Sequence, residues 1–297
     1  MRMLLTGPGG LGLAVLDALA RAGAGGEALS RSGAAALPEG WRPRRADLTD
    51  PESLRGTCDG FDVVLHFAAL THSNTPAAYR RVNVEGTRNL IDAARAARVG
   101  HFLYASSRAI DPRGGAYSRS KAEAEALVRD SALPWTIVRP AEVYGVGSEG
   151  LARVLELARA GRRVPTVGDG RWRLSPVFVA DVAEGVRAAA LRPAAGRVYH
   201  LVGPEEMTFR ELVARLGRHY GTDARPFGLP GWLLVTAARA LALARVPHPP
   251  IYVDQVARLL APKPYDLEPA ATELGYRPRN LEEGLAALLA SGQPRSR

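Results

Sequence analysis

Thr6-Gly7-Pro8-Gly9-Gly10-Leu11-Gly12 decides how the rest of the chain is read. The stretch follows a short apolar run, Met3–Thr6, and leads into an apolar-periodic one, Leu11–Ala22. Glycines let a backbone turn tightly and come close to a ligand, and the free N–H groups of a helix start attract negative charge. A strand, a glycine turn and a helix in that order make a cradle for a dinucleotide pyrophosphate. Thr6, Gly7, Gly9, Gly10, Leu11 and Gly12 are its expected lining.

The second strand, Glu27–Ser30, runs into Ser30-Arg31-Ser32. Sites that prefer NAD usually carry an acid here to hold the ribose hydroxyls, and this chain has none. A guanidinium instead grips a 2′-phosphate through two hydrogen bonds, so Arg31 with Ser30 and Ser32 points to NADP(H). The plainer alternative is a surface arginine in an arginine-rich chain. Asp47 and Leu48, after the third strand, are expected to flank the adenine. The fourth strand, Asp62–Phe67, ends in His66-Phe67-Ala68-Ala69, where small residues let the backbone pass near the ribose.

Further strands are expected at Phe102–Ala105, Thr136–Arg139 and Arg197–Val202, and helices at Tyr79–Arg98, Tyr117–Ser131 and Val182–Ala190. Short apolar runs alternating with long amphipathic ones specify an α/β fold, a doubly wound parallel sheet covered by helices. After Gly203 the pattern turns helical, beginning with a capping box at Thr208 and Glu211, and prolines gather between Pro247 and Pro264. The organisation expected is therefore a dinucleotide-binding domain, 1–203, and a smaller, mostly helical substrate lobe, 204–297. Residues 140–175 should contribute to that lobe, and the last dozen residues should fray.

Composition narrows the partners. The net charge is +9, but only two of 39 basic residues are lysines, Lys121 and Lys263, and the arginines are scattered without a basic run. That argues against nucleic acid. The most apolar stretch, Leu233–Ala244, is shorter than the ~20 residues a membrane span needs and carries Arg239, so no membrane partner is expected. One cysteine, Cys58, fits a reducing compartment, and the start lacks a signal peptide, so a cytoplasmic location follows. No cluster of His, Cys, Asp or Glu has metal-ligand spacing, and no metal is expected.

Three more segments follow the glycine turn in order: Asn83-Val84-Glu85-Gly86-Thr87, Ser106-Ser107 and Tyr117-Ser-Arg-Ser-Lys121. Later come Arg139-Pro140-Ala141-Glu142-Val143-Tyr144-Gly145, Pro176–Ala183 and Leu274-Gly275-Tyr276-Arg277-Pro278. Together they resemble the short-chain dehydrogenase/reductase superfamily, in its extended or atypical, epimerase/dehydratase-like branch, over nearly the whole chain. The chain holds nine tyrosines and two lysines, so a Tyr-x-x-x-Lys pair on one helix face is rare by chance. The resemblance implies a Rossmann fold, a nicotinamide cofactor and a catalytic set of Ser107, Tyr117 and Lys121. Lys121 would bind the nicotinamide ribose and lower the Tyr117 pKa, Tyr117 would exchange a proton with a substrate oxygen, and Ser107 would orient that oxygen. Pro140 and Val143 would also line the cofactor.

Three positions depart from the family pattern. Its third glycine falls on Leu13, with Gly12 one place early, so the first helix is expected to pack differently there. Only ten residues separate Ser107 from Tyr117, a short link typical of atypical members. Glu142 stands where nucleotide-sugar epimerases usually carry asparagine. Outside the motifs, His66, His72 and His200 are read as packing or loop residues, Tyr144 as a support of the fold, and Asp181 as a helix N-cap before Val182.

The expected activity is NADPH-dependent reduction of a ketone on a mainly apolar small-molecule carbonyl substrate, of the aromatic or polycyclic secondary-metabolite kind. Phe227-Gly-Leu-Pro-Gly-Trp232-Leu-Leu-Val235 would offer the apolar surface, unless Trp232 merely packs the lobe onto the sheet. A nucleotide-sugar epimerase, dehydratase or reductase is the second reading, with Arg171-Trp172-Arg173 on a diphosphate. A third is a non-catalytic NADP(H) sensor or assembly protein on the same fold.

Overall fold

The computed structural model describes residues 1–33, 36–148, 150–247 and 249–290. The first half runs β1 (Arg2–Thr6), α1 (Leu11–Arg21), β2 (Gly25–Ser30), β3 (Trp41–Arg45), β4 (Val63–His66), α2 (Pro76–Tyr79) and α3 (Gly86–Ala96). It continues through β5 (His101–Ala105), α4 (Gly115–Arg129), β6 (Trp135–Pro140), β7 (Val143–Tyr144), α5 (Ala152–Arg159), β8 (Val164–Val167), β9 (Arg173–Leu174) and β10 (Val177–Phe178). Then come α6 (Val179–Leu191), β11 (Arg197–Leu201), β12 (Met207–Thr208), α7 (Phe209–Tyr220) and β13 (Pro226–Leu229). Four helices close the described chain: α8 (Gly231–Leu243), α9 (Gln255–Leu260), α10 (Glu268–Glu273) and α11 (Leu281–Ala290).

Among the described residues, seven strands pair in parallel in the order β11-β6-β5-β4-β1-β2-β3. Successive side chains of a strand point to opposite faces. Met3, Leu5, Leu65 and Leu103 join one buried cluster with α1 and α6, and Leu4, Val64, Phe102 and Tyr104 join another with α3 and α4. Burial on both faces is why these strands read as continuous apolar runs. The order reverses between β1 and β4, so their carboxyl ends open the crevice where ligands of such sheets bind.

The chain after Gly203 pairs back onto the segment before β11. β13 pairs with β8 and β12 with β9, around a third cluster built from α5, α7 and α11. The capping box of α7 forms as expected, with Thr208 Oγ1 accepting from the Glu211 N–H. α11 extends to Ala290, so residues 286–290 of the expected frayed tail are helical, and residues 291–297 lie outside the described residues.

Other expectations are corrected. The single helix expected over Tyr79–Arg98 contains a π-helical turn, Arg80–Glu85, between α2 and α3, a one-residue insertion that apolar periodicity does not reveal. α6 begins at Val179, so Asp181 is not its N-cap. Asp181 sits in the first turn and accepts from the Arg279 backbone N–H at 2.8 Å, tying α6 to the C-terminal segment. Trp232 does not pack the lobe onto the sheet, because it is 71% exposed on α8.

Candidate active site

The glycine turn owes its shape to three close approaches. Gly7 has φ of 78°, and a Cβ there would stand 2.6 Å from the backbone of Ala68. Gly10, with φ of 44°, faces the Gly147 carbonyl. A Cβ on Gly12 would lie 2.2 Å from the Gly7 carbonyl oxygen, so the third glycine's packing role belongs to Gly12. Leu13 joins the core instead. Nothing lies within 4 Å of a Cβ on Gly9, which leaves open space over the turn beside the start of α1. A cradle of this shape, floored by backbone at a helix N-terminus, fits a dinucleotide pyrophosphate.

A buried hydrogen-bond chain holds the floor together. Thr87 Oγ1 donates to the Asn83 carbonyl at 2.6 Å, so it must accept from His66 Nε2 at 2.9 Å. His66 Nδ1 then accepts from Thr6 Oγ1 at 2.7 Å, and Thr6 Oγ1 accepts from the Ala68 N–H at 3.3 Å. The imidazole is neutral throughout, and burial beside the Lys121 charge pushes its pKa down to about 3. Asn83, presented by the π turn, bonds Leu70 through both amide atoms and donates to Ser120 on α4.

At the far end of the crevice, Ser30 Oγ accepts from the Gly33 N–H, and Arg31 and Ser32 are exposed. Arg45, paired in register with Ser30, packs its Cβ against Gly33. The Asp47 carboxyl is held below the usual range chiefly by the Thr49 backbone N–H, with Arg31 and Arg81 adding to the effect. Leu48 is buried against Gly86, and its carbonyl accepts from Asn89 Nδ2. Arg31 and Asp47 are therefore close enough for their charges to interact, and Leu48 follows Asp47 in the chain. Phe67 and Ala68 border the glycine turn, and Ala69 follows them.

The Ser107, Tyr117 and Lys121 set is brought together despite the short link. The chain after Ser107 turns back through Ser118 Oγ, which donates to the Ala109 carbonyl, and α4 starts at Gly115. Tyr117 thus falls in the first turn of α4, beside Ser107. Burial raises the Tyr117 pKa, while the guanidinium of Arg258 and a hydrogen bond from Ser107 act against that rise. Lys121 is buried, donates to the Ala105 carbonyl at 2.7 Å, and has its ammonium 4.3 Å from the Tyr104 ring centroid. Burial pushes its pKa down to about 7, which Glu125 partly offsets. Pro140 caps β6 and its carbonyl accepts from the Arg108 N–H, while Val143 opens β7 opposite Val177.

Several neighbours escaped sequence reasoning. Arg108, only 1% exposed, meets Glu142 at 3.0 Å and Glu206 at 3.4 Å, and Lys263 lies 3.5 Å from Glu142. Arg258 stands over the Tyr117 ring, and Asp254 accepts from Tyr79. These residues come from distant parts of the chain, so no spacing could flag them. Arg171 and Arg173, considered for a diphosphate, are engaged by Asp169 and Glu206, and Trp172 stacks on Phe209. The His72 ring meets the Tyr252 ring at a tilt, and His200 is buried near Arg139. Among the described residues there is no group of His, Cys, Asp or Glu able to hold a metal, and no helix long and apolar enough to cross a membrane.

Comparison with known proteins gives the lineage. Residues 3–202 match the NAD dependent epimerase/dehydratase family. The chain is 31% identical to the 2-alkyl-3-oxoalkanoate reductase of Stenotrophomonas maltophilia, covering 98% of this chain and 99% of that protein. It is also 31% identical to the 4-hydroxy-2-methyl-3-oxo-4-farnesyl-3,4-dihydroquinoline-1-oxide ketoreductase of Stigmatella aurantiaca, over 98% and 97%. The fold is shared with a dTDP-glucose 4,6-dehydratase from Streptomyces venezuelae solved with NAD and DAU bound (TM-score 0.78, 22% identity, coverage 98% and 96%). With two-thirds of its length matched by one family and both relatives aligned end to end, this chain belongs to the NAD-dependent epimerase/dehydratase family, the extended branch of the short-chain dehydrogenase/reductases.

Proposed function

We propose that this chain is an NADP(H)-dependent ketoreductase acting on a carbonyl of a mainly apolar small molecule, in the cytoplasm. The observation that carries the reading is Tyr117 beside Ser107, with Lys121 one turn along the same helix and buried beneath the site. Bound NADPH would supply a hydride to the carbonyl carbon. Ser107 would donate a hydrogen bond to the carbonyl oxygen and fix its direction. Tyr117 would release its phenolic proton to that oxygen as negative charge develops there. Lys121, whose burial makes its charge costly, would be held charged by the anionic cofactor and by Glu125, and would in turn favour the Tyr117 phenolate. Thr6, Gly7, Gly9, Gly10, Leu11 and Gly12 would hold the pyrophosphate, and Asp47, Leu48, Phe67, Ala68, Ala69, Pro140 and Val143 the rest of the dinucleotide. Arg31, with Ser30 and Ser32, would take the 2′-phosphate.

Two features support an apolar substrate over a nucleotide sugar. The exposed Trp232, Leu233 and Phe227 put apolar surface on the smaller lobe, and the two relatives named above are reductases of 3-oxo compounds. Conversely, Glu142 is occupied by Arg108 and Lys263, and Arg171 and Arg173 already have acidic partners. The test is NADPH consumption with a lipophilic 3-oxo compound, set against binding of UDP- and dTDP-sugars. Turnover of the first without binding of the second supports the reading. Sugar-nucleotide binding with no ketone reduction overturns it.

A further inference from the structure

Tyr117 is clasped by a segment more than 130 residues away. Asp254 packs on Gly115, at the start of α4, where a Cβ would stand 2.8 Å from the Asp254 Cβ and φ is 85°. Oδ1 of Asp254 accepts from the Tyr79 hydroxyl at 3.2 Å, while its Oδ2 is buried without a hydrogen-bond partner. The Tyr79 ring meets the Tyr117 ring edge-on, with centroids 6.0 Å apart. One helical turn further, the guanidinium carbon of Arg258 lies 4.8 Å from the Tyr117 ring centroid, and Nη1 donates to the Thr71 carbonyl at 3.2 Å. Thr71 belongs to the loop that continues the cofactor-side run after β4. Arg258 thus lies over Tyr117 itself, Asp254 meets it through Gly115 and Tyr79, and the pair bridges α4 to that loop.

We propose that Arg258 is a positioning residue for the proton donor: the C-terminal lobe lays its guanidinium over the Tyr117 ring, fixing the phenol and favouring the phenolate that proton donation leaves behind. This rests on the reading of Tyr117 as the acid. In that step the phenol O–H breaks as an O–H forms on the substrate oxygen, and the phenolate recovers its proton from solvent. The charged and titratable groups around the phenol are Lys121 and Glu125 on its own helix, Tyr104 on β5, Tyr79 on α2, and Asp254 and Arg258 from the lobe. Of the two cations, burial pushes the Lys121 pKa down to about 7, so its charge is the less secure one. A cation over an aromatic face stabilises the ring, and more so once the ring carries negative charge. Asp254 opposes this, since its charge acts to raise the Tyr117 pKa. The arrangement makes the acidity of a residue on α4 depend on α9, a helix more than 130 residues further along the chain.

The experiment compares wild type, Arg258→Leu and Arg258→Lys, each with and without Tyr117→Phe. The phenolate absorbance difference within each pair isolates the Tyr117 titration from the other eight tyrosines. Arg258→Leu should move that titration and the alkaline limb of the kcat profile upward by about one pH unit and slow reduction about tenfold, while NADPH affinity stays unchanged. Arg258→Lys should restore at least half of the shift. A folded Arg258→Leu protein whose Tyr117 titrates as in wild type overturns the proposal, as does a lysine variant that restores none of the shift. If Tyr117→Phe alone keeps full activity, the assignment of the acid fails, yet the absorbance titration still reports whether Arg258 acts on the phenol.

Discussion

Oε2 of Glu142 lies 3.0 Å from Nη2 of Arg108, and the Ser175 N–H donates to the same carboxylate oxygen at 3.0 Å. Arg108 and Lys263 hold the Glu142 carboxyl below its ordinary range against the opposing effect of burial. Leaving one member of such a pair unmatched costs about 3–5 kcal/mol. Glu142→Leu should therefore destabilise the protein by that order in urea denaturation, and Arg108→Leu combined with it should recover part of the loss. The stabilisation from a lowered carboxyl pKa is complete above the unfolded value near 4.3 and vanishes as pH falls through the folded one. Between about pH 5 and pH 3, wild type should lose more stability than Glu142→Gln. Equal acid sensitivity would place the ion pair outside the stability of the fold.

The proposed preference for NADP(H) rests on the end of β2. Arg31 is exposed there without an acid at the adjoining positions, and its charge is felt at Asp47. NADP(H) should bind at least about tenfold more tightly than NAD(H), the size of one charge-assisted contact. Arg31→Ala should close most of that gap while leaving NAD(H) affinity within about threefold. Calorimetric titration with both cofactors reads this directly, and equal wild-type affinities would refute the assignment.

Lys121 makes a prediction about pH. Its folded pKa, about 7, is well below the unfolded value near 10.4, so the unfolded chain holds the extra proton between the two. Stability of the cofactor-free protein should rise with pH from about 7 to 9 through this group, and Lys121→Met should flatten that rise. The same variant should weaken NADPH binding at least tenfold. A methionine variant with wild-type affinity would make Lys121 a packing residue.

Legibility in the sequence followed the range of the interactions. Met3–Thr6 and Asp62–Phe67 were readable because burial on both faces demands unbroken apolar runs; the observed β1 starts one residue earlier, and β4 is one residue shorter at each end. Tyr117 and Lys121 were readable because residues four positions apart on a helix share a face. The role of Gly12 was not, because spacing shows where glycines fall but not which carbonyl they must clear. Nor were Arg108 with Glu206 or Arg258 with Tyr117, whose partners are 98 and 141 residues apart. Asp181 misled for a local reason: an acid near a helix start resembles an N-cap, yet here the helix begins two residues before it and the carboxylate serves the chain near Arg279.

Every role proposed at the site turns on Tyr117 donating the proton in a ketone reduction. The direct measurement is single-turnover NADPH oxidation by Tyr117→Phe against wild type, with Ser107→Ala alongside, on a 3-oxo substrate with no neighbouring hydroxyl. A positioned general acid contributes about 10²–10⁴ in rate, so Tyr117→Phe should fall by a hundredfold or more while its NADPH affinity holds. A Tyr117→Phe rate within threefold of wild type would contradict the account and leave Ser107, water or the substrate itself to supply the proton.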